Sequence, residues 1–432
     1  MRGGLTRADA AAIRDASAVL ERMLNAPDRA PVTVAVSGGG DSMALLCIAA
    51  AWAERAGRPL VALTVDHALQ PASAGWCAFV AERAAALGLR SRTLVWRGEK
   101  PRSGLPAAAR AARHALLADA TRELGARAVL MAHTADDVLE AQAMRTAGCI
   151  VPTPRTWSPS PAWPEGRGVF ILRPLLGVRR AALRDLLRER GERWVEDPAN
   201  EDPRYARSAA RRRLAGQPTE DVSRLSDHRG TSCAVVVEGA AGELTAARAA
   251  FGASNGRSLL SAMLLCASGG ARPPRGSSLD RLLLRLAAGE DFVATLAGAR
   301  LEAAGEDVTC CREAGERRRG GLADVTLPVG ETVFDGRFLV AATEPGWRVV
   351  ALRGVASRLP KDERAWLAGA PAAPRAALPA AISPAGDYFC PIVRQSGPVV
   401  ARSLSLNRLQ AALGCIADEA SLWRVAQTPL GA

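Results

Sequence analysis

"TVAVSGGGDSMALL", residues 33–46, decides how the rest of the chain is read. A β-branched, apolar run meets three glycines, then an acid, a serine and an apolar stretch of helical character. Glycine serves where the backbone takes positive φ or passes close to something else. A glycine-rich loop ahead of a helix leaves its N–H groups unshielded at the positive end of the helix dipole, a setting made for phosphate. Ser37 and Ser42 add hydroxyls. Asp41 would repel an anion directly, but makes sense where a hard cation such as Mg²⁺ lies between it and the phosphates. A tight strand-to-helix turn is the plainer reading; hydroxyls and an acid bracketing the glycines favour the phosphate site. Two familiar phosphate loops do not fit. The Walker pattern needs Lys after its last glycine, where this chain has Asp41, and G-x-G-x-x-G is not met.

The surrounding segments alternate. VTVAV (32–36), LVALTV (60–65), SRTLVW (91–96) and AVLMAH (128–133) read as strands. Helices are expected from Asp41, over 74–87, over 107–124 and from Asp136. Such alternation predicts an α/β fold with a parallel sheet covered on both faces, and ligands at the carboxyl ends of its strands. Ser37 to Ser42, Asp66-His67 and His133 to Asp137 all fall at those ends. Residues 149–168 are too rich in Pro and Trp for a helix or a central strand. Residues 171–191 read as a further amphipathic helix, and 215–231 as a polar linker. Three regions are expected: 1–214, with the candidate site; 215–295, mainly helical; and 296–432, a smaller α+β region.

The chain has 432 residues, of which 56 are Lys or Arg and 44 Asp or Glu, giving a net charge of +12. Lysine occurs only at Lys100 and Lys361. Excess arginine fits a polyanionic partner such as nucleic acid, and equally a compositional bias; charge leaves both open. Nine cysteines without a C-x-x-C argue against a zinc ribbon or a disulfide framework and for free thiols in a reducing cytosol. The N-terminus reads as an amphipathic helix without the apolar core of a signal peptide, and no stretch is apolar long enough to span a bilayer. A cytoplasmic protein with no membrane partner is expected.

In "AHTADDVLEAQAMR" (132–145), Asp136, Asp137 and Glu140 crowd one helix start at spacings that share a face. Alone they read as acids complementing a helix dipole. Beside a phosphate loop they read as a place for Mg²⁺ or a substrate amine.

Several stretches, in order, carry a resemblance. Ser37 to Ser42 spell S-G-G-x-D-S, the loop of the PP-loop ATP pyrophosphatases, whose domain is adenine nucleotide alpha hydrolase-like. "VDHALQPASAGW" (65–76), "ARAARH" (109–114), "HTADD" with Glu140, "RPLLGVRR" (173–180) and "EDPANEDPRYARSAAR" (196–211) resemble motifs of one branch, the tRNA(Ile)-lysidine synthases. The chain departs at His114, where tyrosine is usual, at Ala141 for threonine, at Gln70 for arginine and at Pro106 for an acid; "TAGCIVPTP" stands in place of R-G-S-G.

The resemblance implies ATP-dependent attachment of L-lysine to the wobble cytidine of tRNA(Ile) with a CAU anticodon. ATP would be bound by Ser37, Gly38, Gly39, Gly40, Asp41, Ser42, Asp66 and His67, with Mg²⁺ on Asp41. Lysine would be held by Asp136, Asp137 and Glu140. Asp41, Asp137, Glu140, Arg110 and Arg113 would carry the chemistry, and Arg145, Arg204, Arg207, Arg211 and Arg212 the tRNA; 1–214 would be the catalytic domain and 215–295 a tRNA-binding one. Arg173 is read either as a phosphate partner or as part of a structural ion pair, and Trp157 and Trp163 either as base-stacking or as pins for their proline-rich loop. A homodimer is left open. Rival readings are a PP-loop tRNA thiolase, which would lean on reactive cysteines, a ligase fed by a glutaminase segment, which the sequence lacks, and an RNA-binding relative without catalysis.

Overall fold

The computed structural model describes residues 7–26, 29–149, 151–196, 210–211, 213–214, 235–315 and 322–426. The chain forms two compact units, Met1–Arg229 with Ile416–Ala426, and Gly230–Cys415 with Gln427–Ala432.

In the first unit the elements run α1 (Arg7–Met23), β1 (Val32–Ala35), α2 (Gly40–Ala56), β2 (Leu60–Asp66), α3 (Ser73–Ala86), β3 (Arg90–Val95), α4 (Leu105–Glu123), β4 (Ala128–Leu130), α5 (Ala135–Thr146), β5 (Trp157–Pro159), β6 (Phe170–Leu172) and α6 (Arg180–Glu189). The sheet order is β3-β2-β1-β4-β6-β5. All neighbours pair parallel except β5, which runs antiparallel along β6. The predicted doubly covered α/β sheet is therefore observed. Val32, Val34 and Val36 pack with α1, α2 and α6 on one face, while Val61, Leu63, Val129 and Ile171 pack with Leu117 and Ala118 of α4 on the other. Thr33 is the polar exception inside β1. Its hydroxyl donates to the Ala128 carbonyl at 3.1 Å and pairs with the Thr121 hydroxyl at 2.8 Å, so burial leaves it satisfied. The chain builds β1, β2 and β3 outward, then returns to place β4 on the other side of β1. That reversal opens a crevice at the carboxyl ends of β1 and β4.

Two segments differ from, or sharpen, the sequence reading. The single helix expected over 171–191 is a strand and a helix: Phe170–Leu172 extend β4's edge, and α6 begins only at Arg180. Pro174 disfavours helix at the residue before it, and the apolar Val169–Leu172 run finds a buried strand position. The Pro/Trp-rich segment supplies the edge strand β5, where a missing N–H is tolerated. Trp157 stacks on Phe170 at 4.9 Å and donates from Nε1 to the Ile416 carbonyl at 2.9 Å, the pinning role.

The C-terminal helix, Glu419–Ala426, completes this unit. Glu419 is fully buried and takes hydrogen bonds from Arg58 at 3.0 and 3.1 Å and from the Ala26 N–H at 3.1 Å. Arg58 also donates to the Ala30 carbonyl just before β1. Arg127 lies 4.4 Å over the Trp423 ring.

In the second unit, β7 (Val236–Glu238), β8 (Leu244–Ala247), β9 (Phe292–Leu296), β10 (Ala299–Ala304) and β11 (Asp307–Arg312) form an antiparallel sheet of order β7-β8-β11-β10-β9. Helices α7 (Gly256–Ala267) and α8 (Ser277–Ala287) share its core. The described part of the span read as mainly helical thus contains strands as well, because the apolar stripes of α7 and α8 are covered by Leu244, Ala246, Leu301 and Val308. Residues 215–231, read as a linker, lie outside the described residues. Four-stranded and three-stranded antiparallel sheets follow, around a separate core that includes Phe334, Phe338 and Val349. No helix among the described residues is long and apolar enough to cross a membrane.

Candidate active site

The crevice at the ends of β1 and β4 gathers most of the predicted residues. β1 delivers Ser37 to Gly39 and α2 begins at Gly40. Gly38 has φ +87°, a conformation that side chains resist, and Gly39 caps α2 in an extended conformation. Ser42 fastens the loop from within. Its hydroxyl donates to the Gly39 carbonyl at 2.8 Å and accepts the Ser37 N–H at 3.2 Å, with the Ser37 hydroxyl 3.3 Å away. From without, Val195 N–H donates to the Gly38 carbonyl at 2.9 Å, and the Trp194 ring stands 3.5 Å from where a Cβ on Gly40 would lie. The strap after α6 therefore rests on the glycine loop.

Beside the loop lies a carboxylate cluster. Thr134 ends the turn before α5, and its N–H donates to Asp137 Oδ2 at 2.7 Å, a capping box. The other Asp137 oxygen, Asp41 Oδ2 from α2 and Glu140 Oε1 all accept from one guanidinium, that of Arg180, at 3.4, 2.8 and 3.2 Å. Asp137 and Glu140 are buried. Burial lifts the Asp41 carboxyl above its ordinary range, against the pull of Arg180. For Arg180 the balance is reversed: burial works against its charge, and the carboxylates outweigh that and raise its pKa. Asp136 is held by other partners than the Arg180 guanidinium. It accepts the Arg180 backbone N–H at 2.7 Å and both a 3.2 Å and a 3.0 Å bond from Arg179, tying α6 to α5. Arg211 joins the cluster as well, donating to Glu140 at 2.9 Å.

At the end of β2, Asp66 accepts the Ala68 N–H at 2.7 Å. His67 meets Trp96 edge-on at 6.0 Å. Its pKa is lowered by burial and then by Arg113 of α4, which brings that helix to the same end of the sheet. Arg110 is exposed on α4. His114 follows on the same helix, buried, with neither ring nitrogen hydrogen-bonded among the described residues. Burial, reinforced by Arg113, Arg110, Arg173 and His133, pushes its pKa down to about 2. Arg173 donates to His133 Nδ1 at 3.2 Å and to the Arg155 carbonyl and the Ser158 hydroxyl, both at 2.9 Å, so it ties the strand ends together. Arg145 sits in the last turn of α5, about 12 Å along the helix from Asp137 at 1.5 Å per residue. Arg204, Arg207 and Arg212 lie outside the described residues.

The sequence reading did not place Arg179 or Arg180 in the site, although it quoted the segment that holds them. The signal available was two adjacent arginines at the start of an apolar helix.

Among the described residues, no group of three or more His, Cys, Asp and Glu is arranged to hold a metal by itself. Mg²⁺ often takes only one or two carboxylates and fills its shell with water and substrate phosphates. Asp41, next to the glycines and offering hard oxygens, fits that use. The arrangement sets a glycine-rich loop at a helix start beside a cluster of carboxylates that already holds one guanidinium.

Residues 13–217 match the PP-loop domain family. The chain is 48% identical over 409 residues to the tRNA(Ile)-lysidine synthase of Caulobacter vibrioides, covering 93% of this chain and 98% of that one. It is 40% identical over 314 residues to the tRNA(Ile)-lysidine synthase of Hyphomonas neptunium, covering 66% and 83%. Among solved structures, a U34-tRNA thiolase of Methanococcus maripaludis aligns with a TM-score of 0.40 at 14% identity, over 48% of this chain and 73% of that chain, too slight a likeness to weigh.

Proposed function

Because this chain belongs to the tRNA(Ile)-lysidine synthase family, we propose that it joins L-lysine to C2 of the wobble cytidine in tRNA(Ile) with a CAU anticodon, consuming ATP. The observation that carries the reading is the juxtaposition of the Ser37–Ser42 loop with the Asp41, Asp137 and Glu140 carboxylates in one crevice. The first half of the reaction needs an anion cradle. The C2 oxygen of cytidine attacks the α-phosphate of ATP, and pyrophosphate leaves. The N–H groups of Gly38 to Gly40 take the charge of that leaving group, and Ser37 and Ser42 hold the loop in shape. Asp41 would hold Mg²⁺, which supplies charge neutralisation on the phosphates. Arg110 and Arg113 present positive charge from α4, and Asp66 and His67 flank the nucleotide.

The second half needs a cation site that can also take protons. A lysine ε-ammonium has a pKa of about 10.4 and must lose a proton before its nitrogen attacks C2 and AMP departs. Asp137 and Glu140 are the carboxylates suited to hold it and accept the proton. Asp136 serves to position α6 instead. Arg145, Arg204, Arg207, Arg211 and Arg212 are assigned to the tRNA, with Arg211 also reaching Glu140. These substrates put the reaction in the cytoplasm.

The test is incorporation of labelled lysine by the purified protein with ATP and Mg²⁺, comparing isoleucine and methionine tRNAs that share the CAU anticodon. Label in the isoleucine tRNA alone is expected. AMP and pyrophosphate formed without label would keep the adenylation and reject lysine as the nucleophile.

A further inference from the structure

Arg180 stands where the proposed function needs other cations. Its Nε holds the Asp41 oxygen that a metal would take, and its two terminal nitrogens lie on Glu140 and Asp137, where an ammonium would bind. Its side chain is only 17% exposed, so it is no loose surface partner. Its backbone N–H is fixed by Asp136, so any movement is a swing of the side chain about a pinned Cα. One target lies close by: the glycine loop that receives the polyphosphate ends one residue before Asp41. A guanidinium matches phosphate oxygens in a bidentate manner as well as it matches carboxylates.

The carboxylate oxygens that Arg180 occupies cannot also serve the incoming cations. Among the described residues, Arg180 binds the carboxyl groups of Asp41, Asp137 and Glu140, and the more exposed Arg211 joins it at Glu140. A lysine ammonium and a divalent cation together bring three positive charges to the same carboxylates. Leaving Arg180 among them would crowd like charges in a buried site. Phosphates arriving at the loop offer the guanidinium a new anion at the moment when its old ones are claimed.

We propose that Arg180 is a movable internal cation that occupies the amine site of the free protein and is drawn off it by bound nucleotide, so that lysine enters only after ATP. Arg180 is thus a positioning residue that sets the order of binding, and this rests on the lysine-ligating reading above.

The test is equilibrium dialysis of labelled L-lysine against the full chain, with and without Mg²⁺ and the α,β-methylene analogue of ATP, first without tRNA and then with tRNA added to the nucleotide-bound forms. Wild type should bind lysine at least about tenfold more tightly with the analogue than without it, a difference of about 1.4 kcal/mol. Arg180→Gln should bind lysine without nucleotide about as tightly as wild type does with it, and the analogue should add little. Arg180→Lys, whose single ammonium cannot span three carboxylates, should show a smaller gain, and serves if the neutral variant does not fold. Variants that bind lysine no better than nucleotide-free wild type, in a protein whose nucleotide-bound form does bind it, would overturn the gate and leave the lysine reading intact. No lysine bound by any form, with nucleotide and tRNA both present, would overturn the two together.

Discussion

Asp41 and His114 show how much a single side chain decides here. Asp41→Ala should lower tRNA adenylation by at least about a hundredfold, because charge developing on the phosphates loses its counter-ion. Binding of tRNA, followed by filter retention, should stay within about threefold, since a carboxylate offers RNA phosphates no attraction to lose. Full activity would remove Asp41 from the metal site. His114 makes a different claim. Its pKa falls from 6.5 in the free residue to about 2 in the fold. The unfolded chain takes up a proton below pH 6.5 and the folded chain does not, so the stabilisation is present above that pH and is lost as the pH falls. Between pH 7.5 and 5.5, His114 should account for about 1.4 kcal/mol of lost stability. In His114→Phe that part of the pH slope in urea denaturation should vanish, while the share due to His67 remains. The difference in legibility between such residues has a physical cause. Ser37 to Ser42 are readable in the sequence because one loop must do all its work within six consecutive positions. Arg180 pairs with an acid 139 residues away, and in a chain rich in arginine nothing marks it out.

Among the elements, α6 and the strap behind it join the two halves of the site. The helix starts at the carboxylates, through Arg179 and Arg180, and the chain after it lies on the phosphate loop, through Trp194 and Val195. Gly38→Ala tests the loop side. A side chain there meets both a positive φ and the Val195 methyl at 3.4 Å. The variant should lose about 1–3 kcal/mol in denaturant unfolding and bind ATP more weakly. An unchanged stability would mean that the loop relaxes freely under the strap. The strands and helices around β1 to α5 were legible because period and length agree for each. The boundary at α6 was not: Val169–Leu172 is apolar enough for either a helix or a strand, and only the vacant edge of β4 selects the strand. Nor does α5 reveal from its sequence that its three acids part ways, Asp136 to α6, Asp137 to both its own cap and the site, and Glu140 to the site.

Over the whole molecule, the first unit is closed by residues from the far end of the chain. The Arg58–Glu419 pair is buried, with 5% and 0% of the two side chains exposed. Glu419→Gln should therefore cost about 3–5 kcal/mol, because Arg58 would keep its charge without its partner. The measurement is thermal or urea unfolding of the full chain, and a loss below about 1 kcal/mol would mean that the pair is neutral to folding. The basic balance of +12 was readable at once, but this closure was not. Nothing local to Glu419 distinguishes it from a surface acid at a helix start.

That closure sets a schedule for biosynthesis. A ribosome making this protein finishes the sheet and its helices, then makes Gly230–Cys415 of the second unit before the segment from Ile416 emerges. At about 5–20 residues per second, the nascent sheet waits on the order of ten to forty seconds for its last helix. During that interval the Arg58 guanidinium has no carboxylate, and the Ala26 N–H ahead of β1 lacks its acceptor. Translation that stops early, anywhere in the second unit, thus releases a fragment whose nucleotide crevice is encoded in full but lacks the clamp behind it. The cell's proteases should meet such a fragment as a more loosely folded chain than the same unit closed by Glu419.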